Sequence, residues 1–169
     1  MIERYRIWFE HERVSNARML GMIASVPESA RDSAKYRRAL TLAAHLCACR
    51  ENWLESIVDG THGSSEWWEE TVDAAALAQR FLAMEAKWTD YLANLDDATL
   101  NGDFDFDVPG YGRCRLPIEG QIAQLVGHAH YHRGQIALLV DELGGEAVDT
   151  DFVYWILETN PRYGKIADA

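Results

Sequence analysis

Residues 118–143 read IEGQIAQLVGHAHYHRGQIALLVDEL and lie between Pro117 and Gly144-Gly145. Apolar side chains, with one histidine among them, recur there at intervals of three and four, which is the period of one face of an α-helix. The series comprises Ile118, Ile122, Leu125, Ala129, His132, Ile136, Leu139 and Leu143. Proline before the first turn and glycine after the last turn are typical helix boundaries. The stretch therefore predicts one long amphipathic helix that contributes to a core.

Three earlier segments show the same helical period. The predicted helices cover residues 2–26, 31–58 and 73–95. The first is expected to end near Pro27 and the second at Asp59-Gly60, while Asp73 is the expected N-cap of the third. Residues 60–72 mix turn formers with acids and a pair of tryptophans, which is typical of a loop between long elements.

Residues 102–116 differ from the rest because apolar and acidic residues alternate there. Phe104, Phe106 and Val108 are separated by aspartates and meet Pro109-Gly110, which predicts a β-hairpin. The whole pattern predicts an all-α fold, a four-helix bundle with a short hairpin-like insertion between the third and fourth long helices. A C-terminal tail is expected to close the bundle, and it carries Phe152, Tyr154 and Trp155. The length of 169 residues suits one domain over residues 1–169.

Composition excludes several classes of function. Sixteen basic and 27 acidic residues give a formal net charge of −11, which disfavours a nucleic-acid partner. The sequence contains neither a membrane-spanning apolar run nor a signal peptide, so we expect a cytoplasmic protein without a membrane partner. Three cysteines, Cys47, Cys49 and Cys114, predict reduced thiols rather than a disulfide framework.

Histidines carry the main chemical signal. His128 and His132 lie four residues apart and so share one face of the last long helix, where two imidazoles can reach one ion. His132 lies within the apolar series, at a position where leucine or isoleucine would be expected. His45 lies on another helix, among the apolar residues Leu42, Leu46 and Trp53 and beside Cys49. Three histidines match a catalytic metal site with one open coordination position.

The same residues also allow a plainer interpretation, in which His128 and His132 are solvated or hydrogen-bonded core side chains without an ion. His130 is rotated about 200° from His128 on a helix of this pitch and is expected at the surface or a dimer contact. His11 is either a structural residue or one that approaches the site from the first helix. His62, in the loop, is expected to be solvated.

The string from His128 to Ile136, HAHYHRGQI, resembles the DinB-family signature H-x-x-x-H-R-G-Q-I. His45, followed by Glu51 and Trp53, resembles a second sequence motif of these DinB/YfiT-type proteins. Asn16 and Asp151-Phe152 resemble weaker motifs of the family. The resemblance implies a four-helix bundle, usually a homodimer, with a divalent transition metal on His45, His128 and His132. Zinc is the expected ion, and nickel, manganese or iron are alternatives.

The resemblance also implies an activity. Better understood relatives are thiol S-transferases that activate bacillithiol, mycothiol or a glutathione-like cofactor, so a small-molecule substrate is expected. Metal-dependent hydrolysis needs the same ligands and is an alternative, as is a non-enzymatic metal-binding protein in stress response or interaction. A di-iron bundle is excluded because the chain lacks its Glu-x-x-His motifs.

Several further residues are candidates for contacts around the ion. Glu51, Gln135 and His11 are the expected residues behind the ligands, although Glu51 suits pairing with a cation equally well. Arg133 is expected to pair with an acid across helices. Cys49 is expected to line the pocket and Cys47 to pack in the core. Five aromatic residues are expected mainly to pack, or else to cover the pocket or a dimer contact. They are Trp67, Trp68, Phe104, Phe106 and Tyr111.

Overall fold

The computed structural model describes residues 2–164 and confirms the predicted all-α bundle with a hairpin insertion. Four long helices form it: α1 (Glu3–Ser25), α2 (Ala34–Asp59), α3 (Ala74–Asn94) and α5 (Ile118–Glu142). The shorter elements are a 3-10 turn (Glu28–Ala30), α4 (Asp97–Leu100), β1 (Asp103–Val108), β2 (Gly112–Pro117) and α6 (Phe152–Thr159). Among residues 2–164, no helix is both long and apolar enough to cross a membrane.

Local sequence chemistry sets the ends of the long helices. The Ser33 hydroxyl accepts a hydrogen bond from the amide of Tyr36 and begins α2. Gly60 ends α2 in the left-handed conformation, with φ of 67°. The Asp73 carboxylate accepts hydrogen bonds from the amides of Ala75 and Ala76, which confirms it as the N-cap of α3.

The hairpin is a two-stranded antiparallel ribbon in which Asp103 pairs with Pro117 and Val108 pairs with Gly112. Because side chains alternate along a strand, its phenylalanines point to one face. Phe104 and Phe106 are buried there against the indole ring of Trp53 on α2. These phenylalanines pack, as expected, whereas Tyr111 at the turn is 83% exposed.

The C-terminal segment differs from the predicted tail because part of it forms helix α6. Phe152 and Trp155 of α6 pack their rings against the imidazole of His11 on α1. The segment is short and apolar on several sides, so its sequence shows no clear helical period. Its position is set by packing on α1 rather than by a local signal.

The bundle core lies where α2 and α5 face each other, which is the most extensive helix contact in the described chain. Buried apolar residues from both helices meet there, together with an unusual set of polar side chains. His45 and Arg50 of α2 and His132 and Arg133 of α5 are all buried. The seam between these two helices therefore holds most of the residues that the sequence singled out.

Candidate metal centre

The three predicted ligands meet at the seam between α2 and α5. His128 and His132 lie one turn apart on α5, with ring centroids 4.5 Å apart. His45 comes from the middle of α2, and its ring centroid lies 5.1 Å from each of the other two. His45 and His132 are buried, while His128 is partly exposed. The three rings therefore lie close together, but in the described chain the potential ligand atoms that lie within 4.8 Å of one another belong to His45, His128 and Cys49 and do not include those of His132.

The orientation of His45 suits a metal ligand. Its Nδ1 lies 2.7 Å from the carbonyl oxygen of Trp67 and donates to it, which leaves the Nε2 lone pair free. Nε2 lies 3.3 Å from Nε2 of His128. Two nitrogens bound at about 2.0–2.1 Å to one tetrahedral ion are separated by about 3.3 Å, so this pair fits a transition metal without rearrangement. Without an ion, the same distance is a hydrogen bond between the two rings.

His132 is oriented by a neighbour on its own helix. Its Nδ1 lies 2.8 Å from Oε1 of Gln135, which accepts the hydrogen bond. This contact leaves the lone pair of His132 Nε2 free, as that of His45 Nε2 is. Many metal-binding histidines have the same arrangement, in which the other ring nitrogen donates to an oxygen. Gln135 thus lies directly behind His132, one of the predicted ligands.

Cys49 also lies in the site. Together with His45 and His128 it forms a group whose potential ligand atoms lie within 4.8 Å of one another and which could hold a metal ion. Its sulfur is 3.5 Å from Nε2 and 3.7 Å from Nδ1 of His45. Because these distances are nearly equal, the sulfur lies beside the ring rather than in line with the Nε2 lone pair. Burial raises the pKa of the Cys49 thiol to about 12, so it is neutral without an ion.

The environment of His45 and His128 lowers their pKa values and so favours the neutral form, which binds metals. Burial lowers the pKa of His128 to about 4, with further lowering by the neighbouring His132 and His45. Burial also lowers the pKa of His45, while its hydrogen bond to Trp67 acts in the opposite direction. Burial of these two rings thus favours a lone pair over a proton at the ring nitrogens near pH 7.

The loop between α2 and α3 covers the site with Trp68. The Trp68 indole stacks on the His45 ring at a centroid distance of 3.6 Å and an angle of 8°. The loop is fixed to α2 because the Asn52 side chain donates to the Ser65 carbonyl oxygen and accepts from its amide, at 2.9 and 2.8 Å. The sequence analysis expected Trp68 mainly to pack and did not predict its contact with His45.

His62 has a defined role that the sequence did not reveal. Its Nδ1 lies 3.1 Å from the carbonyl oxygen of Asp107 and its Nε2 accepts from the Trp67 indole at 3.3 Å. The residue is half-buried and links the covering loop to the hairpin. The expectation of a solvated His62 was therefore wrong, because these contacts join elements distant in sequence.

Glu51 and His11, the other two candidates behind the ligands, make their described contacts elsewhere. The Glu51 carboxylate accepts hydrogen bonds from Arg80 and from the Ser65 hydroxyl, so it pairs with a cation and helps to hold the loop. His11 Nε2 donates to the Thr150 carbonyl oxygen at 2.9 Å. His130 is exposed, as predicted, and stacks on the ring of His11.

A buried polar network lies beside the histidines. The Arg50 guanidinium forms two hydrogen bonds with the Glu12 carboxylate, and both side chains are 4% exposed. Asn16 donates to Glu85 and accepts from Arg133 at 3.3 Å. The prediction that Arg133 pairs with an acid was wrong. Among residues 2–164, Arg133 donates a hydrogen bond to the side-chain oxygen of Asn16, and its Nε and Nη2 atoms have no hydrogen-bond partner.

The fold and the site together define a class of protein, a four-helix bundle in which two facing helices carry a His/Cys/His group that could hold a metal ion. The DinB family model matches residues 1–162. The chain belongs to the DinB family. No curated protein matches the chain, and no solved structure does.

Proposed function

We propose that this DinB-family chain binds one divalent transition-metal ion through His45, His128 and His132. The observation that supports the proposal is the convergence of three imidazoles with ring centroids 4.5–5.1 Å apart. Two of the rings have Nδ1 held by an oxygen, from Trp67 for His45 and from Gln135 for His132, which leaves Nε2 of each ring available to an ion. Zinc is the expected ion because neutral imidazoles suit it and tetrahedral geometry fits the spacing.

We further propose that the ion serves a metal-dependent thiol S-transferase with a small-molecule substrate. With three protein ligands, a tetrahedral ion keeps one position for a substrate atom. A bound ion supplies Lewis acidity, which favours the thiolate form of a thiol near neutral pH. The roles of this chain's residues are to hold and orient the ligands and, through Trp68, to limit access of water to His45.

A non-enzymatic metal-binding role is the second candidate, and two contacts favour it. Trp68 covers one face of His45, and the Cys49 sulfur lies beside the same ring. A site that is covered by an aromatic ring and has a fourth potential donor nearby resembles a closed structural site more than an open one. Activity measurements on metal-loaded protein separate the two candidates.

The test is metal content, measured by elemental analysis on untagged protein, for wild type, His128→Ala and His132→Ala. His130→Ala is the matched control because His130 lies on the same helix but is exposed. We expect about one ion per chain in wild type and the control and a large loss in the two other variants, since each removes a ligand. Negligible metal in wild type after reconstitution would overturn the proposal.

Thiol transfer is then assayed on the same four proteins with bacillithiol, mycothiol or glutathione as donor and an aryl halide as acceptor. Transfer that follows metal content supports the S-transferase. Full metal occupancy without transfer to any acceptor would favour the non-enzymatic role.

A further inference from the structure

Arg38 is a positively charged side chain at the outer edge of the histidine cluster. It precedes His45 by seven residues, so the two share one face of α2. The Arg38 guanidinium lies 5.3 Å from the centre of the Trp68 indole, which itself stacks on the His45 ring. Arg38 is exposed, and one aromatic ring separates its charge from the predicted metal ligand.

The charge of Arg38 is not neutralised within residues 2–164, because its described contact is the cation–π contact with Trp68. The acid next to Trp68 in sequence, Glu69, pairs with Arg80 instead. Glu51 pairs with Arg80 as well. Two carboxylates of this region are thus occupied by another arginine, which leaves the planar donors of Arg38 available.

The position of this charge is notable in a chain with a net charge of −11. An anion approaching such a protein is repelled over most of the surface, so a single accessible cation beside the site has a strong local effect on which ligands bind.

We propose that Arg38 binds a carboxylate of the small molecule that reaches the histidine cluster, so that the ligand class is a carboxylate-bearing thiol or electrophile. This inference rests on the proposed metal-dependent function and specifies its substrate class. A guanidinium matches a carboxylate through two parallel hydrogen bonds, and the exposed part of the Trp68 ring offers an apolar surface for the chain between the two ends of the ligand.

The experiment uses the cobalt-loaded protein and two probe thiols of equal length, mercaptohexanoate and mercaptohexanol. Binding of either thiol to cobalt is followed by its thiolate-to-metal charge-transfer absorption, which requires no turnover. We compare wild type with Arg38→Met and with the matched control Arg37→Met. Arg37 is also exposed but donates to the carbonyl oxygen of Asp32 and makes no described contact with Trp68.

We expect wild type and Arg37→Met to bind mercaptohexanoate about twofold to fivefold more tightly than mercaptohexanol, as one exposed ion pair allows. Arg38→Met should lose the preference for mercaptohexanoate, and added salt should reduce the wild-type preference. Equal binding of the two probes by wild type, or a preference that survives in Arg38→Met, would overturn the inference and leave the metal site intact. Absence of cobalt binding in wild type would overturn the proposed function and, with it, this inference.

Discussion

Arg50 and Glu12 form an ion pair in the core, where each residue is 3% exposed. Removal of a charge from water is costly, and the pair compensates only because two hydrogen bonds join the partners. The Arg50 guanidinium also lies 4.8 Å from the centre of the Trp88 ring. At the residue scale, one side chain thus connects α1, α2 and α3.

Arg50→Met should reduce the free energy of unfolding by about 3–5 kcal/mol, because it leaves the Glu12 carboxylate buried without its partner. Glu12→Leu combined with Arg50→Met should recover most of this loss, since an apolar pair has no desolvation cost. Urea denaturation followed by circular dichroism measures both. Lys35→Met, which removes the exposed pair with Glu142, is the control and should change stability by less than about 1 kcal/mol. A similarly small effect of Arg50→Met would contradict the prediction.

The residues of the site differ in how far the sequence could predict them. His132 interrupts an apolar series and His128 lies one turn away, so periodicity alone indicated a shared face. The contact of Trp68 with His45 and that of Arg133 with Asn16 join segments far apart in sequence. Such contacts depend on loop geometry and helix packing, and no local pattern encodes them.

At the element scale, the loop over residues 60–73 depends on one close backbone approach. Gly63 has a φ of 92°, and a Cβ atom there would lie 2.4 Å from Oδ1 of Asn52. Asn52 is the side chain that exchanges two hydrogen bonds with Ser65 and so holds the loop against α2. The absence of a side chain at Gly63 therefore helps to place the Trp67 carbonyl oxygen and the Trp68 ring against His45.

Gly63→Ala should destabilise the protein by about 2–4 kcal/mol, because it combines a strained backbone with loss of the Asn52 contacts. The matched control is Gly110→Ala, where φ is 76° but no heavy atom lies within 4 Å of the added Cβ. That control should lose only about 1–2 kcal/mol. Denaturation in urea compares the two, and equal losses would show that the close approach to Asn52 contributes nothing.

Elements with strong local signals were predicted, and those without such signals were not. The period of three and four, the Asp73 cap and Gly60 predicted the long helices, and the alternation of Phe104 and Phe106 with aspartates predicted the hairpin. Helix α6 lacks a comparable pattern, and its Trp155 is buried through contact with α1. Tertiary packing decides such short elements.

At the scale of the whole molecule, buried histidines couple folding to pH. Burial lowers the pKa values of His11, His45 and His128 below the usual value near 6.5, to about 4 for His128. Between these pKa values the unfolded chain binds more protons than the folded chain, so stability rises with pH. Glu85 opposes this trend because burial raises its pKa.

The predicted single domain over residues 1–169, the homodimer and the cytoplasmic location stay predictions.

For the metal-free protein kept in a chelator, we expect stability to be constant above about pH 6.5 and to fall as the pH is lowered towards 4. His128→Asn removes one of the groups responsible, so its curve should be flatter by about 2 kcal/mol over this range. Urea midpoints at half-unit pH intervals for both proteins give the difference, in which the contribution of Glu85 cancels. Parallel curves would show that His128 does not contribute to the pH dependence.

The stacking of Trp68 on His45 has an optical consequence. Tryptophan emission is quenched by contact with a protonated imidazole or an open-shell ion, and the indole lies 3.6 Å from the His45 ring. The fluorescence of this one side chain, obtained as the difference between wild type and Trp68→Phe, therefore reports on events at the histidines. Protonation or metal binding at the histidines can therefore be followed by Trp68 fluorescence without an added label.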